Sequence, residues 1–185
     1  MLSRRLIIAA GGGALASCLA GRRWHASAAE TAIAIRMKSD AQGAHVTFDP
    51  IGFFIEPGTT VRWVCDANVH TTTAYHPKNG NRSLRIPIAA QPWNSGYLLP
   101  KQGFAVTLTV AGVYDYFCIP HEHAGMVGRI VVGEAPGPGA EPFDYFTGTP
   151  QGANWLTVPM PAQKNFPSIA SILSEKVVHP AISPS

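Results

Sequence analysis

Short stretches that alternate between apolar and polar residues fill the sequence from about residue 33 to residue 132. In the clearest of them, residues 60–65, Val61, Trp63 and Cys65 fall on one face of an extended chain. Turn sequences containing Pro and Gly separate the stretches, and no convincing helix interrupts them. The pattern therefore predicts an all-β fold, a sandwich of short antiparallel strands. The predicted strands cover residues 44–48, 53–55, 60–65, 104–110, 113–118 and 126–132.

The composition limits the class of protein. The 185 residues leave room for one ordinary domain with extensions, and 46% hydrophobic against 14% charged residues argue against disorder over most of the chain. Four arginines that precede Glu30 account for the formal charge of +3, because the chain from Glu30 onward carries 10 basic and 11 acidic residues. Such a balance provides no strongly basic surface, so we expect no nucleic-acid partner.

The first 29 residues have the pattern of an export signal. Arg4 and Arg5 precede an apolar, Gly-rich stretch at residues 6–20, and small residues at 26–28 suit a signal peptidase. The apolar stretch is too short to span a membrane comfortably, so we expect no transmembrane helix in the mature chain. The arginine pair fits a twin-arginine signal and an ordinary secretory signal equally well. Both predict a periplasmic or otherwise exported protein.

The thiol at position 18 offers a second interpretation of the leader. Leu15-Ala16-Ser17-Cys18 resembles a bacterial lipobox, in which the cysteine carries the lipid anchor of a lipoprotein. The Ala-Ser-Ala sequence downstream serves equally well as a cleavage site. A lipid anchor at Cys18 therefore stays open as an alternative, and it too predicts a protein outside the cytoplasm.

Two segments lack the alternating pattern. Residues 77–103 are polar and turn-rich, which predicts a long connection along a sheet edge. Residues 134–185, the C-terminal extension, begin with a linker-like run rich in Pro and Gly. Their aromatic side chains predict that the extension packs on the domain, and apolar residues at helical spacing within 167–176 predict one short amphipathic helix. The aromatic residues are Phe143, Tyr145, Phe146 and Trp155, and the helical ones are Ile169, Ile172 and Leu173.

The run YFCIPHEHAGM, residues 116–126, gathers a thiol, two imidazoles and a thioether. This combination suits a copper ion that cycles between Cu(I) and Cu(II). We call residues 118–126 the ligand loop. A disulfide between Cys65 and Cys118 is the alternative for an exported protein, but it leaves the crowded histidines unexplained. One further histidine must come from elsewhere, and the candidates are His45, His70, His76 and His179.

The spacing Cys118-x-x-His121-x-x-x-x-Met126, with aromatic residues before it and Val-Gly-Arg-Ile-Val-Val after it, resembles the copper loop of plastocyanins and pseudoazurins. These are blue copper proteins of the cupredoxin family, and the resemblance covers about residues 33–132. It implies a Greek-key β-sandwich that holds one type 1 copper ion. In the family the remaining histidine follows the strand equivalent to residues 60–65, which indicates His70.

The resemblance implies a metal site made of four ligands, His70, Cys118, His121 and Met126. It also implies that the backbone N–H of Thr71 donates a hydrogen bond to the cysteine sulfur. The implied division of the chain is an export signal at 1–29, a cupredoxin-like copper domain at 30–133 and the C-terminal extension at 134–185, packed on that domain.

His123 allows a competing spacing in which it replaces His121. Pro120 before His121 and the four-residue gap to Met126 match the family and favour His121. His123 is then a solvated loop side chain or a titrating group near the copper. Strand alternation directs Phe117 away from the core. The resemblance implies that the residue before the cysteine can be an exit for the electron, which makes Phe117 the candidate for that role. The exposed edge of His121 is expected to lie in a small apolar docking patch formed by Pro120, Ala124, Gly125 and Met126.

Zinc is the competing metal, because one cysteine and two histidines suit it, but methionine is a poor zinc ligand. A binuclear copper centre would need a second cysteine in the ligand loop, and the sequence has none there. The resemblance implies an electron carrier rather than an enzyme, with a cytochrome or a copper or haem enzyme as redox partner. Two alternatives stay open: a copper carrier or store using His123 and His76 as transfer ligands, and an electron-donor subunit of a reductase or oxidase.

Overall fold

The computed structural model describes residues 33–181, so the predicted export signal and Cys18 lie outside the described residues. Short strands are the main regular secondary structure of the described residues, and the predicted all-β fold is confirmed. The strands are β1 (Ile33–Ser39), β2 (Val46–Asp49), β3 (Gly52–Ile55), β4 (Thr59–Cys65), β5 (Thr73–Ala74), β6 (Gly103–Leu108), β7 (Gly112–Phe117), β8 (Val127–Val132) and β9 (Val177–Val178). The helices are a 3-10 helix (Ile119–Ala124), α1 (Met160–Asn165) and α2 (Ile169–Glu175).

The helix predicted within residues 167–176 is α2, whose N-cap Ser168 accepts a hydrogen bond from the Ser171 amide. Helix α1 precedes it and was not predicted. It has six residues, with proline in its first turn, so it is too short to produce an apolar periodicity in the sequence.

The strands form two sheets, ordered β2-β1-β4-β6 and β5-β7-β8-β3-β9. Most neighbours are antiparallel as predicted, but β1 pairs with β4, and β3 with β8, in parallel. The chain between the members of each parallel pair passes through the opposite sheet, which supplies the crossover that parallel neighbours need. Alternation of side chains is the same in both directions, so the sequence pattern did not distinguish them.

The core lies between the sheets and follows the predicted alternation. Val61 and Trp63 of β4 have no exposed surface and Cys65 is 1% exposed, whereas Arg62 between them faces solvent. Across the interface the ring of Tyr116 meets Trp63 edge-on at 5.4 Å between centroids. This aromatic contact lies close to the start of the ligand loop, because Tyr116 is two residues before Cys118.

The C-terminal extension covers the outer face of the five-stranded sheet. Every residue of β7 is buried, including Val113 and Phe117, which point away from the core. Val113 packs with Ile172 of α2, and Phe117 packs with Val158 and Ala162. Within residues 33–181, no helix has the length and apolar character needed to cross a membrane.

A buried ion cluster joins the sheet to the extension. The carboxylate of Asp115 in β7 lies 2.7 Å from Arg85 Nε and 2.7 Å from Arg129 Nε, and all three residues are buried. The guanidinium of Arg85 also donates hydrogen bonds to three carbonyl groups at the start of the extension. These belong to Gly139, Glu141 and Pro142.

Candidate metal centre

The ligand loop begins where β7 ends. Cys118 is the N-cap of the 3-10 helix, and Gly125 ends that helix with a left-handed φ of 83°. Two backbone hydrogen bonds close the loop: Cys118 N donates to the Met126 carbonyl at 3.0 Å, and Met126 N donates to the His121 carbonyl at 3.1 Å. The loop therefore returns its last residue to the side of its first.

His70 reaches the same place from the segment that follows β4. Its backbone is paired in both directions with Leu98, from the predicted long connection, at 3.2 and 2.8 Å. Its ring is oriented from both sides, because Nε2 lies 2.8 Å from the hydroxyl of Ser39 and Nδ1 lies 3.6 Å from the sulfur of Cys118. The side chain is fully buried.

The sulfur of Cys118 is the centre of the group. It accepts a hydrogen bond from the Thr71 amide at 3.3 Å, as the resemblance implied, and His121 Nδ1 lies 3.4 Å from it. The ligand atoms of His70, Cys118 and His121 all lie within 4.8 Å of one another. Cys65 and Cys118 are both free, so the disulfide alternative is wrong.

The donor set fits a copper ion. Burial and the neighbouring His121 lower the pKa of His70 to about 4, and burial also lowers the pKa of His121. Both imidazoles are thus neutral at physiological pH and keep a lone pair for a metal. Burial raises the pKa of the Cys118 thiol to about 11, so in the absence of a cation it holds its proton. A bound metal ion would stabilise the thiolate in place of that proton.

The other predicted residues lie in different surroundings. Met126 is fully buried in the main core and is joined to Cys118 through its backbone. His123 is exposed and is not part of the group of possible metal donors found among residues 33–181. That group also lacks the three other candidate histidines: His45, His76 and His179.

The expected docking patch was wrong in two of its members, and the role of Phe117 as an electron exit stays a prediction. Phe117 does point away from the core, but it is only 1% exposed because the extension and the ring of Tyr75, 4.4 Å away between centroids, cover it. In the expected docking patch Pro120 and Ala124 are exposed, whereas Gly125 and Met126 are buried. The sequence pattern gave the direction of these side chains but not what covers them.

Sequence reasoning missed the groups that hold the loop from outside it. Glu122 is fully buried, accepts a hydrogen bond from the Tyr75 hydroxyl at 2.8 Å and lies 2.6 Å from Arg82 Nη2. Burial raises the pKa of its carboxyl, and both partners oppose that rise. The sequence signal that could have identified Glu122 is its position between two histidines. No sequence signal indicated that Ser39 lies near His70.

Comparison with known proteins places the chain among copper proteins. Residues 35–133 match the model of the copper binding proteins of the plastocyanin/azurin family. A Synechococcus plastocyanin is 34% identical over 109 residues, which are 57% of this chain and 76% of that protein. A chloroplastic plastocyanin of Oryza sativa subsp. indica is 31% identical over 93 residues, 50% of this chain and 58% of the relative.

The chain spans 58% of the length of this Oryza sativa plastocyanin and of a chloroplastic plastocyanin of Hordeum vulgare. Among solved structures, a Sinorhizobium pseudoazurin is 31% identical, with a TM-score of 0.45 over 56% of this chain and 74% of that one.

The fold and the site define a cupredoxin: a two-sheet β-sandwich with a buried thiol between two imidazoles. The family model covers more than half of the sequence, so the chain belongs to the plastocyanin/azurin family of copper binding proteins. Copper, rather than zinc, is therefore the metal of this site.

Proposed function

We propose that this protein is a mononuclear blue copper electron carrier that works outside the cytoplasm. The observation that carries the proposal is the convergence of one thiol and two neutral imidazoles, with donor atoms within 4.8 Å of one another. The residues that would hold a type 1 copper ion are His70, Cys118 and His121, together with Met126, whose thioether would be a weak ligand. Copper bound there supplies one-electron exchange between Cu(I) and Cu(II).

The surrounding residues hold the donor atoms in place. The Thr71 amide supports the sulfur of Cys118, the Ser39 hydroxyl supports the ring of His70, and backbone hydrogen bonds close the ligand loop. Donors and dipoles that are fixed before the charge changes need little rearrangement when it does. This framework supports fast electron transfer with a small structural change.

The proposed electron route is the partly exposed edge of His121. Ile119, 39% exposed, and the exposed Pro120 and Ala124 surround this end of the loop and offer an apolar contact for a partner protein. The burial of Phe117 argues against a second route through that ring. We propose a redox protein as partner, a cytochrome or a copper or haem enzyme, and no substrate that the protein itself converts.

The proposed organisation follows from the sequence. Residues 1–29 would be the export signal, 30–133 the copper domain and 134–185 the C-terminal extension. The arginine pair, the apolar stretch and the small residues that follow support export.

Reconstitution with Cu(II) tests the proposal, with His121→Ala and His123→Ala as a matched pair of variants. We expect an intense visible thiolate-to-copper band and a reversible reduction potential in the wild type and in His123→Ala. His121→Ala should lose the band because it lacks a proposed ligand.

Other outcomes would contradict parts of the proposal. Loss of the band in His123→Ala alone would mean that His123, and not His121, is the copper ligand. A colourless protein that holds only Cu(I) and passes it on would indicate a copper carrier, and turnover of nitrite or oxygen would indicate an enzyme.

A further inference from the structure

The peptide unit between Gly125 and Met126 joins the last two residues of the ligand loop. Its N–H donates to the carbonyl of His121 at 3.1 Å. Its carbonyl accepts a hydrogen bond from the side-chain amide of Asn165 at 3.0 Å. Both polar ends of this one peptide are therefore occupied, one by the loop itself and one by helix α1, 40 residues further along the chain.

Helix α1 approaches the loop where the loop has no side chain. A Cβ atom added to Gly125 would collide with the amide of Asn165 and would lie 3.2 Å from the carbonyl oxygen of Pro161. The φ of 83° at Gly125 independently favours glycine. The loop backbone and the helix thus make direct contact, which a larger residue at position 125 would prevent.

The residues after Asn165 are firmly attached to the sheet. The guanidinium carbon of Arg129 lies 4.9 Å from the centre of the Phe166 ring, and its Nη1 donates to the Pro167 carbonyl at 3.0 Å. Arg129 is in turn paired with buried Asp115 at 2.7 Å. The end of α1 is therefore held by the buried ion cluster, although Asn165 itself is exposed.

We propose that Asn165 is a positioning residue of the copper centre. Its amide fixes the orientation of the Gly125–Met126 peptide and thereby the position of Met126, which makes the C-terminal extension part of the framework of the site. The inference depends on the proposed function in one respect, because it takes Met126 as one of the residues that would hold the copper ion. A weak methionine ligand would help to tune the reduction potential of bound copper, so a small displacement of Met126 would change that potential.

The test uses the full chain with Asn165→Ala and Asn165→Leu. The leucine variant keeps the branched shape and the number of side-chain non-hydrogen atoms, removes the donor and adds no charge. Gln163→Ala is the matched control, because Gln163 lies in the same helix and its amide donates to Val158 instead, at 2.8 Å. Amide hydrogen exchange at Met126 is measured in the metal-free proteins, and reduction potential and electron paramagnetic spectrum in the copper-loaded ones.

Both Asn165 variants lose the hydrogen bond to the Gly125 carbonyl, which belongs to the same peptide unit as the Met126 N–H. We expect this peptide to open more often, so that the Met126 amide exchanges about fivefold faster, as the loss of one hydrogen bond predicts. Their potentials should shift and their electron paramagnetic spectra should change, while Gln163→Ala matches the wild type in all three measurements. Wild-type exchange, potential and spectrum in both Asn165 variants would overturn the inference while leaving the proposed function intact. Failure of the wild type to form the thiolate-to-copper band would instead overturn the proposed function. The exchange rates of the metal-free proteins would still show whether the hydrogen bond from Asn165 holds the Gly125–Met126 peptide.

Discussion

His70 owes its orientation to a hydroxyl group 31 residues earlier in the chain. The Ser39 hydroxyl and the ring Nε2 lie 2.8 Å apart, which leaves Nδ1 directed toward the sulfur of Cys118. A hydrogen bond on one ring nitrogen selects the tautomer and the ring angle that present the other nitrogen to a metal. Ser39 therefore prepares His70 for binding without touching the metal itself.

Replacing Ser39 by alanine should weaken copper binding by about tenfold, because a lost partner of a metal-binding histidine typically has that effect. Competition titration against a chelator measures the change. Ser174→Ala, which removes an exposed hydroxyl on α2, is the control and should leave the affinity unchanged. Equal affinities in the wild type and Ser39→Ala would remove Ser39 from the account of the site.

Copper binding should release protons in a way that the pKa values determine. At pH 7 the Cys118 thiol, with a pKa of about 11, is protonated, while His70, with a pKa of about 4, and His121, with a lowered pKa, are neutral. Uptake of Cu(II) should thus release about one proton per ion, and apparent affinity should rise about tenfold per pH unit near neutrality. Lightly buffered titration with a pH indicator measures this. Release of two or more protons would mean that a histidine is also protonated beforehand.

At the scale of the element, the ligand loop is held by a buried carboxylate that is not a proposed metal ligand. Glu122 joins the 3-10 helix to Tyr75 and Arg82, and the guanidinium carbon of Arg82 lies 5.2 Å from the centre of the Phe117 ring. A buried carboxylate is stable only where donors surround it, so these contacts specify one position of the helix. These contacts restrain the 3-10 helix that carries His121. The end of the loop that carries Met126 is restrained separately, by the hydrogen bond from helix α1.

Tyr75→Phe should reduce the free energy of unfolding by about 2 kcal/mol, because a buried charged acceptor loses its donor. The control is Tyr114→Phe, whose hydroxyl donates to the neutral carbonyl of Val110 at 2.7 Å, and whose loss should cost about 1 kcal/mol. Urea unfolding of the metal-free proteins measures both. An equal or smaller loss at Tyr75 would show that Glu122 does not depend on that hydroxyl.

At the scale of the whole molecule, the extension converts one outer face of the sandwich into interior. The cluster of Asp115, Arg85 and Arg129 lies between the sheet and the extension, and the aromatic ring of Phe143 lies 4.3 Å from the guanidinium carbon of Arg85. Buried charges are tolerated only while all partners are present. Loss of one member of this cluster should therefore weaken the other contacts between the extension and the domain.

Asp115→Asn should destabilise the protein by about 3–5 kcal/mol, since it leaves two buried guanidinium groups without a counter-charge. It should also expose the extension to limited proteolysis. Asp66→Asn is the control, because its ion pair with Arg36 is partly exposed, involves no residue of the extension and contributes about 1 kcal/mol or less. Thermal or urea unfolding and cleavage rates measure both effects. Unchanged cleavage within residues 134–181 in Asp115→Asn would separate the ion cluster from the attachment of the extension.

The sequence by itself determined the features that depend on neighbouring residues. Alternation in β4 placed Trp63 and Cys65 in the core. Cys118 and Met126 lie in one short loop, so the sequence indicates that they belong to the same metal site. His70 was identified by resemblance rather than by spacing, because a long connection separates it from the loop. Its Nδ1 lies 3.6 Å from the Cys118 sulfur.

Only the tertiary structure decided which distant groups support that loop and which surfaces it leaves open. Ser39, Tyr75 and Asn165 reach the site across separations of 31, 47 and 40 residues, and no periodicity links such positions. The outward direction of Phe117 followed from strand alternation, but its burial depended on where the extension packs. The physical reason is the same in each case: side-chain direction is a local property of the backbone, whereas contact and burial depend on how distant segments pack together.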